Sequence, residues 1–241
     1  MWWGELASNP AERADKPKAH HSEEHAEEVH ALTEEQVQRL FGAARGTRFE
    51  HLYVVAVRTG LRQGELLGLK WEDLNLDASP ATLMLRRSLA QKPGGGFYFS
   101  ATKRRGSRRT ILLLDEAADA LRAQRELLAK QQLAMGEGWQ AHGLVFPSII
   151  GTPMDPSNLH YKHFKPLLRK AGLPDITFHD LRHTFATIMF FDHGVDVKTV
   201  SEMLGHASIK TTMDVYAHVL PHTQADTIQR LNRLFSERKR A

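Results

Sequence analysis

Between Thr177 and Tyr216 the chain reads TFHDLRHTFATIMFFDHGVDVKTVSEMLGHASIKTTMDVY and gathers a guanidinium (Arg182), imidazoles (His179, His206) and a phenol (Tyr216). His179 and Arg182 stand three apart, so on a helix they share a face and can grip one small anion together. His206 follows a Leu-Gly turn, and Tyr216 lies ten residues beyond it. These groups suit attack on a phosphodiester. The guanidinium carries the charge of a phosphorane, an imidazole moves or shares a proton, and the hydroxyl is a nucleophile. No carboxylate cage for magnesium is evident in this stretch.

A second cation stands far upstream, in Thr59-Gly60-Leu61-Arg62-Gln63-Gly64-Glu65. An Arg just after a buried helix and a Gly turn is fixed by the core yet projects from an element terminus, as a preorganised anion ligand must. Glu65, three residues on, pairs with Arg62 and holds it in one rotamer. Alone, this would be a plain Arg-Glu surface pair.

His-x-x-Arg-His-Thr-Phe-Ala, then Leu-Gly-His, then Tyr ten residues later resembles the catalytic domain of the tyrosine recombinases, the phage-integrase family. The Arg62 segment looks like the first arginine motif of that family. The resemblance runs from about residue 33 to 235. It implies a mainly α fold with a small antiparallel β-sheet (α+β), and DNA strand cleavage and rejoining in site-specific recombination. Tyr216 would attack the scissile phosphate to give a 3′-phosphotyrosyl link. Arg62 and Arg182 would bind the non-bridging oxygens, His206 would add a hydrogen bond, and His179 would manage the tyrosine proton. A lysine on a β-hairpin is the family's general acid, and Lys103, after Ala-Thr, holds the matching place. Because one phosphodiester replaces another of similar energy, neither ATP, nor a metal, nor any other cofactor is required. The implied partner is double-stranded DNA, on which the family assembles as a tetramer; the isolated chain is expected to be a monomer.

Three other readings compete with this one. His179-Asp180-Leu181-Arg182-His183 superficially echoes the zinc helix His-Glu-x-x-His, but Asp is a methylene shorter and Arg182 would set a cation beside the metal. A non-catalytic DNA-binding module accounts for a basic body but not for Tyr216 and two arginine motifs. A type IB topoisomerase shares the chemistry, but Leu-Gly-His-Ala-Ser fits recombinases better.

These residues need elements to position them. Thr33 and Gln36 form a capping-box pattern that starts a helix. Phe49 to Val57 is apolar almost all round and reads as a buried helix closed by Gly60. Partial alternation over 82–88, 97–101 and 108–113 predicts a small antiparallel sheet, with the first turn at 93–96. Between its last two strands lies a basic tip in which Lys103, Arg104, Arg105, Arg108 and Arg109 could meet DNA as a β-ribbon. Asp115 caps a helix to about Met135. Ser157 caps another ending at Gly172, kinked by Pro166, with Tyr161, Phe164, Leu167 and Leu168 as its buried side. Ser208 caps the helix bearing Tyr216, and a last helix carries an apolar stripe of Ala225, Ile228, Leu231 and Phe235.

Composition agrees with an anionic partner. The formal charge is +4. Residues 1–50 hold 6 Lys and Arg against 10 Asp and Glu, leaving 26 against 18, so that the rest carries about +8. Such a surface releases counterions on meeting phosphates. There is no cysteine, which excludes disulfides and thiolate metal sites. No apolar run is long enough to cross a bilayer, and a cytoplasmic protein is expected. Residues 1–31, with HHSEEHAEEVH and few apolar side chains, read as a linker or disordered tail, and 32–241 as the catalytic domain. Members of the family place a separate N-terminal core-binding domain before the catalytic one; the expectation is that it is absent from this chain, and Asn9-Pro10 resembles the linker that joins the two.

Overall fold

The structure is a computed structural model that describes residues 30–92, 94–101, 109–206, 208–216 and 228, with the backbone alone at 101, 211 and 214–216. Helix α1 (Glu34–Ala44) opens with the expected capping box: Thr33 Oγ1 accepts the Gln36 N–H and Gln36 Oε1 accepts the Thr33 N–H. Helix α2 (Glu50–Thr59) buries Leu52, Tyr53, Val55, Ala56 and Val57. It ends at Gly60, whose φ of 62° is left-handed. A Cβ at Gly60 would lie 2.6 Å from the Phe185 ring and 2.8 Å from Leu204, so this turn admits glycine for space as well as for conformation. Arg62 then caps the short α3 (Gln63–Leu67).

The β region is β1 (Leu74–Asn75), β2 (Thr82–Leu85), β3 (Arg87–Gln91), β4 (Phe97–Ala101) and β5 (Arg109–Leu112). Among the described residues all pairings are antiparallel, but they form two ladders, β1-β2-β5 and β3-β4, rather than the single sheet expected. The run 82–88 divides at Arg86. Beyond it, Arg87 reaches Asp73 Oδ2 at 2.8 Å and Glu72 Oε1 at 2.6 Å. β4 and β5, which flank the basic tip, therefore belong to different ladders among the described residues.

Helix α4 (Asp115–Met135) follows; Leu114, not Asp115, is its N-cap, and Asp115 sits in the first turn, where a carboxylate meets the positive helix end. The next helix runs through α5 (Pro156–Asn158), a π-helical stretch Leu159–Phe164, and α6 (Lys165–Lys170). Its cap is Asp155 rather than Ser157, because Asp155 Oδ1 accepts the N–H groups of Ser157 and Asn158. The widened register, with Lys165 N–H bonding His160 O, is how the helix passes Pro166. Phe164, Leu167 and Leu168 are buried as expected; Tyr161 is 68% exposed. The last described elements are α7 (Asp180–Thr187), continued by a π-helical stretch Ile188–Asp192, then α8 (Val197–Leu204) and α9 (Ile209–Tyr216). Ser208 Oγ accepts the Lys210 N–H at the start of α9.

Helix α2 is central and packs against α1, α4 and α7. Arg58 on α2 binds Glu34 and Glu116, each at 2.6 Å, and so ties α2 to α1 and α4. One apolar core runs from Leu32 to Leu204. No helix among the described residues is long and apolar enough to cross a membrane. Lys103, Arg104, Arg105, Arg108, Ala225, Leu231 and Phe235 lie outside the described residues.

Candidate active site

Arg182 is 3% exposed, and its fork grips two main-chain carbonyls. Nη1 donates to Gly60 O at 2.8 Å and Nη2 to Leu204 O at 2.7 Å. Gly60 precedes Arg62 by two residues, and Leu204 precedes His206 by two. One planar guanidinium therefore fixes the spacing of segments far apart in the chain, a task a lysine could not perform.

Arg62 is held from its inner side. Its N–H donates to Glu65 Oε2 and its Nη1 to Glu65 Oε1, both at 3.0 Å. The Arg62 side chain is 45% exposed, whereas that of Glu65 is 6%. Glu65 also meets Arg109 Nη2 at 3.4 Å. Burial alone would push the Glu65 carboxyl up; the charge of Arg109, the Arg62 N–H and the charges of Arg62 and Arg182 outweigh it and hold the carboxyl below its ordinary value. A single carboxylate thus stands among three guanidinium groups, leaving a local excess of positive charge suited to a phosphate.

His206 follows the left-handed Gly205 that ends α8. Its Nδ1 is 2.7 Å from Thr212 Oγ1, and Thr212 is fully buried on α9. Burial first, and then the charges of Arg182, Arg62, His183 and Arg109, pull the imidazole down to about 4. It is therefore neutral near pH 7. Where the Thr212 hydroxyl donates to Nδ1, the ring proton resides on Nε2, which is then a hydrogen-bond donor without a formal charge. Tyr216 is the last residue of α9, one turn beyond Thr212.

His179 is the N-cap of α7, and its ring meets the His183 ring edge-on with centroids 5.1 Å apart. Asp180 Oδ2 accepts both the N–H and the hydroxyl of Thr177, which occupies the carboxylate that a zinc reading would need. Among the described residues no three His, Cys, Asp or Glu side chains gather as a metal site.

The structure thus brings Arg62, Arg182 and His206 together, and places His179 at the start of the helix that carries Arg182. Arg109 differs from its expected place at a DNA-facing tip. It is the first residue of β5, its side chain is 10% exposed, and it turns inward to Glu65 and to Met203 O. The signal was present: Arg109 falls on the same phase of the strand as buried Ile111. Thr212 was missed too, and no spacing rule links it to His206.

The model of the phage integrase family matches residues 30–222. A tyrosine recombinase XerC-like protein of Caldanaerobacter subterraneus subsp. tengcongensis is 35% identical over 219 residues, 86% of this chain and 55% of that protein. An integrase of Streptomyces ambofaciens is 34% identical over 196 residues, 77% of this chain and 48% of that protein. The chain spans about half the length of these curated relatives. Among solved structures, the Tn1549 transposon integrase in complex with transposon right end DNA superposes with a TM-score of 0.70 at 24% identity, over 86% of this chain and 67% of that one. The XerA recombinase superposes with a TM-score of 0.63 at 28% identity, over 81% and 63%. The mainly helical architecture with its small antiparallel sheets is the one these proteins share. With a family match that begins at the residue before Leu32's neighbour Ala31 and continues past α9, over a fold that draws the two arginine segments and the Leu-Gly-His turn into one place, the chain belongs to the phage integrase family.

Proposed function

We propose that this chain is the catalytic part of a site-specific DNA recombinase, acting by strand cleavage and rejoining through a 3′-phosphotyrosyl intermediate. The observation that carries the reading is the Arg182 fork, whose bonds to Gly60 O and Leu204 O tie the segments of Arg62 and His206 to each other, with the Arg62 side chain half-exposed. Tyr216 attacks the phosphorus, a bond forms from its phenolic oxygen, and the O5′ bond breaks. Arg62 and Arg182 stabilise the charge on the non-bridging oxygens and neutral His206 donates from Nε2. His179 takes the phenolic proton, and Lys103 supplies one to the departing 5′ oxygen. Rejoining reverses the step with a different 5′-hydroxyl, so phosphodiester energy is retained.

The substrate is double-stranded DNA; the Tn1549 transposon integrase in complex with transposon right end DNA and the XerH site-specific recombinase bound to palindromic difH substrate support this reading. Residues 32–241 serve as the catalytic domain, with 1–31 as a linker and Arg104, Arg105 and Arg108 as backbone contacts. The isolated chain is a monomer in dilute solution and forms a tetramer on a recombination site.

The test is incubation with a library of nicked duplexes of random sequence, followed by denaturation and capture of protein-linked DNA. A 3′-linked adduct, absent from the Tyr216→Phe chain, is expected. Salt-sensitive binding with no adduct from any library would leave a DNA-binding module and overturn the enzyme.

A further inference from the structure

The C-terminal end of α8 is gripped by two arginines, of which the recombinase chemistry uses only one. Met203 O and Leu204 O are carbonyls of the last turn of α8, where a helix has no partner of its own for them. Leu204 O receives Arg182, and Met203 O receives Arg109 Nε at 3.0 Å. The Arg109 guanidinium also lies against Gly205: a Cβ built there would fall 2.5 to 2.9 Å from its Nη1, Cζ and Nε atoms. Gly205 has φ 67°, so both its backbone conformation and the guanidinium against it require a residue without a side chain. On its other side Arg109 meets the buried Glu65, the carboxylate that holds Arg62. Its Nη1 is buried and has no hydrogen-bond partner among the described atoms. An arginine kept inside under those conditions is fixed by what surrounds it.

We infer that Arg109 is a positioning residue of the phosphate site: from the start of β5 it holds the Met203–His206 turn and Glu65 in one arrangement, and thereby sets both His206 and Arg62. The inference rests on the recombinase reading for what those two residues do, but not for how they are held. A lysine at 109 keeps the charge, yet has no planar fork to serve Met203 O and Glu65 while lying against Gly205. Removing the side chain leaves Glu65 with one cation fewer and frees the carbonyl at Met203. Arg109 is also the first described residue after the segment that carries Lys103, and it is bonded directly to the turn that presents His206.

The experiment compares the full chain with Arg109→Lys and Arg109→Met by three readouts: the NMR titration of the His206 ring, the salt slope of DNA binding, and the rate of adduct formation at saturating DNA. Both variants are expected to bind DNA with the unsubstituted salt slope and to form adduct at least roughly 10-fold more slowly, as for a misplaced donor. In Arg109→Met the turn that presents His206 is no longer held, the burial that chiefly lowers the ring is relieved, and the titration moves up from about 4, whereas in Arg109→Lys it stays lower. Adduct formation at the unsubstituted rate by both variants would overturn the inference, as would an unmoved His206 titration in a folded Arg109→Met chain. A salt slope reduced by about 1 would instead make Arg109 a phosphate contact. If Arg109→Met does not fold, the Arg109→Lys rate and salt slope decide. If the unsubstituted chain forms no adduct, the recombinase reading fails, and the His206 titration still decides this one.

Discussion

His206 Nδ1 and Thr212 Oγ1 lie 2.7 Å apart, so the turn after α8 and the helix that ends in Tyr216 share a hydrogen bond. That bond couples the tautomer of the imidazole to the direction of the Thr212 hydroxyl and ties α9 to the turn after α8 at the same time. The proposed phosphate donor and the helix that carries the proposed nucleophile are thereby joined by one hydroxyl.

Thr212→Val keeps the shape of the side chain and removes the hydroxyl. It is expected to cost about 1 kcal/mol of stability, as one net hydrogen bond, and to slow adduct formation by roughly 10-fold by leaving the ring without its orienting partner. Thr212→Ser restores the rate. Identical adduct rates for Thr, Ser and Val at 212 would show the contact to be incidental.

The pH dependence of stability has a definite sign. His206 is pulled down to about 4 in the fold, against about 6.5 unfolded. Between those limits the unfolded chain binds a proton that the folded chain does not, so stability rises with pH across that window and is lost as pH falls through it. Glu65, also lowered in the fold, acts in the same direction at more acidic pH. His160 and His163 are likewise held low by burial, so the comparison needed is with His206→Gln. Urea midpoints from pH 4 to 8 should show a shallower rise for that variant; parallel curves would contradict the depressed imidazole.

Tyr216→Phe is expected to abolish covalent attachment and to leave DNA affinity nearly unchanged, because only the nucleophilic oxygen is lost. Filter binding and denaturing gels measure the two separately. An adduct at normal yield would move the nucleophile to another residue.

The two site arginines should separate in their effects. Arg62→Ala, at a half-exposed side chain, is expected to slow cleavage by roughly 10²-fold with little loss of stability. Arg182→Ala should lose the same rate and also about 3 kcal/mol, because two charge-assisted bonds disappear and two buried carbonyls are orphaned. Equal thermal shifts in the two variants would contradict the main-chain role of Arg182.

Cleavage is expected to survive EDTA, since the cations that meet the phosphate are side chains. Loss of adduct with chelator, restored by zinc or magnesium, would favour a metallohydrolase.

Much of this site could be read from the chain because its parts are local signals. Thr33 with Gln36, the apolar run before Gly60, the Arg62–Glu65 pair and the Leu-Gly-His turn each announce themselves within a few residues. What escaped depends on partners distant in sequence. Arg182 serves Gly60 O and Leu204 O, and main-chain carbonyls leave no mark on a sequence. Arg109 looked like one of five basic residues at a tip, and its inward phase beside Ile111 was outweighed by its charge. Asp155 displaced Ser157 as a cap because Pro156 had already set the first helical turn.

The Arg182–Gly60 bond spans 122 residues. Contacts of that separation form only after most of the chain between them has been ordered. A partly synthesised or partly unfolded chain therefore holds Arg62 without the Arg182 brace, and Arg182 without the turn that presents His206. Under the proposed chemistry, a chain competent to cleave is therefore one whose distant segments have already met, and competence reports on completed folding.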